Sequence, residues 1–166
     1  MRPSLKTPEQ REMNGEVSPQ VTELKTWKYT KWLIVTSLGF MIPAFYAYQN
    51  QVYFLSGVLV VTSLVSANYW RFPITDSLRY KTDLIVAKLA FCIFFANGYV
   101  YVRSIPYIIT TYPSIAGIGY CYYMSCKLSS MNDANWNKYH IVFHLLLIYC
   151  EWVIIDSAIP RKIDSI

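Results

Sequence analysis

The sequence predicts an all-α polytopic transmembrane helical bundle of about five spans, and three observations carry that prediction. Hydrophobic types make up 54% of the 166 residues and charged types only 15%. The charges gather in a few short blocks, with long apolar stretches between them. The run from Trp32 to Trp70 is 39 residues without a charge, broken only by Gln49, Asn50 and Gln51. About 20 apolar residues cross a bilayer core, so this run reads as two spans joined by a tight turn.

Three regions follow. Residues 1–26 carry Pro3, Pro8, Gly15 and Pro19 among Glu, Gln, Lys and Arg, and read as a flexible polar tail. Their polarity does not fit the apolar core of a secretory signal peptide. Residues 27–158 form the transmembrane helical domain, and residues 159–166 a short C-terminal tail with Pro160, Arg161 and Lys162. The domain opens on Trp27, Lys28, Tyr29, Lys31 and Trp32, the mixture of cations and aromatics that suits lipid headgroups.

The first span runs to about Tyr48, with Pro43 as its expected kink. The second covers about Val52 to Trp70, and its Thr62, Ser63, Ser66 and Asn68 are small polar residues that either pack helices closely or line a site. A charged loop, Arg71 to Thr82, leads to a third span from Asp83 to about Val102. An acid at a helix start suits the macrodipole. Lys88, further along, either snorkels to the interface or pairs within the bundle. Ser104 to Cys126 is a charge-free fourth span made irregular by Pro106, Pro113, Gly117 and Gly119. After a polar loop from Lys127 to Lys138, the fifth span reaches Asp156. Cys92, Cys121, Cys126 and Cys150 all lie in apolar segments without a C-x-x-C pair, and read as helix-packing residues.

Five spans put the chain ends on opposite sides. A cytoplasmic N-terminus gives that side Arg2, Lys6, Arg11, Lys25, Lys28, Lys31, Arg71, Arg79, Lys81, Lys127 and Lys138, against Arg103, Arg161 and Lys162 on the other. The bias of eleven to three favours a cytoplasmic N-terminus. The net charge of +5 flanks spans and forms no stripe on a folded face, so membrane lipids, not nucleic acid, are the expected partners.

Both histidines lie in the fifth span. His140 and His144 are one helical turn apart on one face, and two such nitrogens can hold one zinc ion provided a third protein ligand joins them. The topology sets Ser66, Asn68, Asp83, His140 and His144 at one depth, where they could line a polar pocket. Glu151 continues the histidine face about 10 Å deeper and is expected to pair with Lys88 or a water.

The residues Ser66-Ala-Asn-Tyr-Trp70, Leu78-Arg-Tyr-Lys-Thr-Asp83 and His140-Ile-Val-Phe-His144-Leu resemble, in order and sidedness, the motifs of the CREST superfamily of membrane hydrolases, which includes alkaline ceramidases and the progestin and adiponectin receptors. The resemblance implies zinc held by histidines, with Ser66 and Asp83 supporting a zinc-bound water that hydrolyses a lipid amide or ester. Trp70 stands where that pattern has its first zinc histidine, and two of the family's seven spans are missing between Asp83 and His140. Asp83 is then the carboxylate to complete a zinc set with His140 and His144; otherwise the site is a degenerate one without metal. The competing expectations are a non-catalytic assembly or scaffold protein, in an oligomer or larger membrane complex, and a small transporter or channel centred on Lys88 and Glu151.

Overall fold

The computed structural model of the chain describes residues 27–74 and 76–159. The tail expected over residues 1–26 lies outside these, as do residues 160–166 of the C-terminal tail. The described residues contain helices and no strand: α1 Trp27–Leu38, α2 Met41–Gln49, α3 Tyr53–Arg71, α4 Leu78–Tyr101, α5 Ile105–Ser130 and α6 Trp136–Ala158. By length and composition, α1 and α2 taken together, α3, α4 and α6 are each able to cross a membrane. α5 is longer than any of them, but it is not among these four; its five tyrosines, two prolines, two glycines and several hydroxyls dilute its apolar character.

α1 and α2 are one span broken in the middle. Pro43 is fully buried in the first turns of α2. Its nitrogen has no proton to donate, and its ring crowds the carbonyl four residues back, which is Gly39. The chain therefore opens at Gly39 and Phe40 instead of at the proline itself, and the tighter Ile42 N–H to Gly39 O bond of 3.1 Å closes the gap. The broken span comes close to α6 here. A Cβ on Gly39 would meet Ile148 Cδ1 and the Thr36 carbonyl oxygen, each at 2.9 Å.

Two further element boundaries differ from the expectation. α4 starts at Leu78, where Ser77 accepts the Tyr80 N–H at 3.2 Å as an N-cap. Asp83 is thus a residue of the second turn and makes no first-turn macrodipole contact. The span expected over Ser104 to Cys126 is one continuous helix to Ser130, with Pro113 absorbed in its interior, so the polar loop shrinks to residues 131–135.

α3 packs on α1, α2 and α4, and α6 packs on α1, α2, α4 and α5. The broken span and α4 therefore sit on opposite sides of the space between α3 and α6, while α5 lies against α6. Two apolar layers fill the bundle. One, built from Phe40, Ala44, Leu55, Leu59, Phe94 and Ile155, holds the half that contains the α2–α3 turn. The other joins Leu33, Tyr69, Trp70 and Trp136 at the end where α1 and α6 begin and α3 finishes. That end is where the sequence places the polar site.

Candidate functional site

Ser66, on α3, is buried, and its hydroxyl accepts from Ser37 Oγ at 3.1 Å. The same hydroxyl hydrogen-bonds the Asp83 carboxyl of α4, as donor to the carboxyl oxygen. Ser63, one turn earlier, donates to the Ser37 carbonyl at 2.9 Å. Small residues at these positions allow the helices to approach, and each buried hydroxyl finds a partner across the interface.

His140 and His144 meet edge to face with ring centroids 4.9 Å apart, as their spacing on α6 requires. His144 is buried and His140 half-buried. Each is held through Nδ1 by a hydroxyl from a different helix: Thr36 Oγ1 of α1 lies 2.9 Å from His144 Nδ1, and Ser125 Oγ of α5 lies 3.0 Å from His140 Nδ1. The Thr36 hydroxyl also donates toward the Trp32 and Leu33 carbonyls, at 3.1 and 3.2 Å. A hydroxyl has one proton, so when it goes to the backbone the oxygen accepts from His144 Nδ1–H and leaves Nε2 as the free ring nitrogen. Adjacent residues of α1, Thr36 and Ser37, thus tie together the histidine pair and the Ser66–Asp83 pair.

Trp70 settles against this cluster. Its ring lies 5.0 Å from His140 at 70°, and it stacks on Trp136 at 5.9 Å. Indole offers a proton but no lone pair to a metal. Among the described residues no group of three or more His, Cys, Asp or Glu is arranged to hold a metal ion. His140 and His144 supply two ring nitrogens, where a zinc site takes three or four ligands.

The remaining candidates fall outside the cluster. Asn68 is exposed on the outer side of α3, two residues and about 200° round the helix from Ser66. Lys88 is exposed on α4, whereas Glu151 is 5% exposed on α6, and the two make no ion pair. The expected Lys88–Glu151 pairing is absent because the lysine projects from the bundle and the carboxyl points into it. Glu151 Oε2 is buried with no hydrogen-bond partner among the described residues. A surface groove of about 420 Å³ between α5 and α6 includes Cys121, Met124, Leu128, Val142, Asp133 and Lys138 in its walls, and none of the four cluster residues lines it.

Sequence patterning missed several partners. Thr36 and Ser37 are two adjacent small hydroxyl residues in the middle of the apolar first span, which was the available signal. Asp156 accepts hydrogen bonds from Tyr46 and Tyr107, each at 2.7 Å, and so joins α2, α5 and α6 at the opposite end. An acid in the last turn of a helix opposes the macrodipole, and that anomaly could have marked it.

Together these observations define an all-α helical membrane-type bundle with a hydroxyl–histidine cluster at one end. No protein-family model, curated protein or solved structure matches the chain.

Proposed function

We propose that this is a non-catalytic integral membrane protein, an assembly or scaffold component that keeps a hydrolase-like arrangement of polar residues without its metal. The single observation that supports this best is Trp70, whose indole packs on the edge of His140 at 5.0 Å in the place where the CREST-like pattern would put a third histidine. The other polar groups support it as well. Thr36, Ser125, Ser37 and Ser66 spend their hydroxyls on joining five helices, α1, α3, α4, α5 and α6. The cluster then works as a set of interhelical fasteners, each contributing about 1 kcal/mol in a membrane setting.

Metal analysis of the purified chain, together with unfolding of His140→Ala and His144→Ala in detergent, tests the proposal. The expected outcome is no stoichiometric zinc in the parent, with both variants losing stability, His144→Ala the more because its ring is buried. One zinc per chain in the parent, lost in both variants, overturns it and restores the hydrolase reading.

A further inference from the structure

We propose that Glu151 is a proton-binding site in the middle of the bundle, loaded from the end of α6 that carries His140. Three features of its placement lead there. First, the side chain is 5% exposed, and its Oε2 is buried with no hydrogen-bond partner among the described residues. An unpaired carboxylate in a low-dielectric interior costs several kcal/mol, so such a group keeps a counter-charge or a proton.

Second, nothing around it supplies the counter-charge. The first span and α3 carry no charged residue between Trp32 and Trp70, and α5 none before Lys127. On α4, Asp83 is engaged by Ser66, and Lys88 is exposed on the outside. On α6 itself the titratable groups around it carry no cation: Cys150 is the next residue along the chain, Tyr149 donates its hydroxyl to Thr110 Oγ1 at 2.7 Å, and Asp156 is held by Tyr46 and Tyr107. A proton is the cation small enough for so closed a position.

Third, the polar side chains of its face lie on one side of it. Asn137, His140, His144 and Glu151 are spaced by three, four and seven residues, which puts them on one face of α6. Asn137 Oδ1 is also buried without a hydrogen-bond partner among the described residues. The face begins at half-buried His140, passes to buried His144 at a ring distance of 4.9 Å, and reaches Glu151 two turns on. In the other direction Ile154 and Ile155 close it, packed with Phe40, Ala44, Leu55, Leu59 and Phe94. Polar side chains line the approach from the histidine end as far as His144; Leu147 and Ile148 occupy the turn between His144 and Glu151, and the face beyond Glu151 is apolar.

Infrared spectroscopy of the full chain in liposomes tests this directly. The parent is expected to show the carbonyl stretch of a protonated carboxylic acid that Glu151→Gln removes. In D2O that band shifts, and the shift is expected to slow roughly tenfold or more in His144→Leu, an added barrier of about 1.4 kcal/mol. Lys88→Leu, on the outer face, leaves the rate unchanged. If His144→Leu does not fold, His140→Gln at the half-buried position takes its place with the same expectation. A spectrum identical in Glu151→Gln and parent overturns the proposal, and so does exchange as fast in the histidine variant as in the parent. Zinc content plays no part in the readout, so its result stands apart from the scaffold reading.

Discussion

Trp70, His140 and His144 meet at the end of the bundle where α3 finishes and α6 begins, and the chemistry available there turns on which side chain sits at position 70. The indole adds packing: Trp70 is 6% exposed and touches both Trp136 and His140. An imidazole in its place would bring a third ring nitrogen beside the existing two. Trp70→His is therefore expected to gain one zinc per chain, measured by metal analysis after dialysis, at a cost in apolar burial of about 2 kcal/mol. If Trp70→His binds no zinc above the parent's level, the three positions do not converge as drawn. Thr36→Val is the complementary test. It keeps the shape of the residue, removes the partner of His144 Nδ1, and should cost about 1 kcal/mol in a reversible unfolding assay in micelles. His144→Leu in that background should then add less than it does alone, because the two side chains share one interaction.

At the scale of elements, two helix ends share one device. After α2, Gln51 has φ 64°, and the Gln51 and Val52 N–H groups bond the Tyr48 and Ala47 carbonyls. After α5, Asn132 has φ 56°, and the Asn132 and Asp133 N–H groups bond the Ser129 and Leu128 carbonyls in the same register. Both are left-handed helix caps, a conformation that Asn tolerates and Gln resists. Gln51→Gly should stabilise the bundle by about 1 kcal/mol, whereas Asn132→Gly should change it by only a few tenths; equal effects would show that the left-handed φ is not the cause. The broken first span makes the opposite demand. Gly39→Ala places a methyl 2.9 Å from a backbone oxygen and from Ile148, so it should destabilise by about 1–3 kcal/mol. Pairing Gly39→Ala with Ile148→Val should recover part of that loss, since the terminal methyl of Ile148 is one of the two obstacles. No recovery would put the whole strain on the Thr36 carbonyl.

At the scale of the molecule, the helices are unequally enclosed. Within its most apolar window α3 is 44% buried, whereas α4 is 11% buried and turns Ile85, Leu89, Phe95 and Tyr99 outward. Exposed apolar area on this scale belongs in lipid or against another membrane protein, which agrees with a helix able to cross a bilayer. The charge bias predicts the N-terminus on the cytoplasmic side. A tag placed before residue 27 should then be shielded from externally added protease in intact cells and cleaved once the membrane is opened. Cleavage in intact cells would reverse the orientation.

Composition and charge placement alone determined the helical class, the approximate spans and the gathering of α1, α3, α4 and α6 ends at one level, because these follow from the length of a bilayer-crossing helix and the return of the chain at each turn. His140 and His144 were legible as a pair, since the period of a helix puts them on one face. Only the tertiary structure decided what each polar side chain meets. Helix rotation separates Ser66, turned inward to Asp83, from Asn68, turned outward two residues later, and it parts Lys88 from Glu151. Distance along the chain hid Thr36 from His144 and Ser125 from His140, because hydroxyl residues are common in apolar spans and carry no mark of their partner. Capping by Ser77 and the absorption of Pro113 moved helix ends that local composition had placed elsewhere. Periodicity sets which residues share a face; the packing of one helix against the next sets what that face touches.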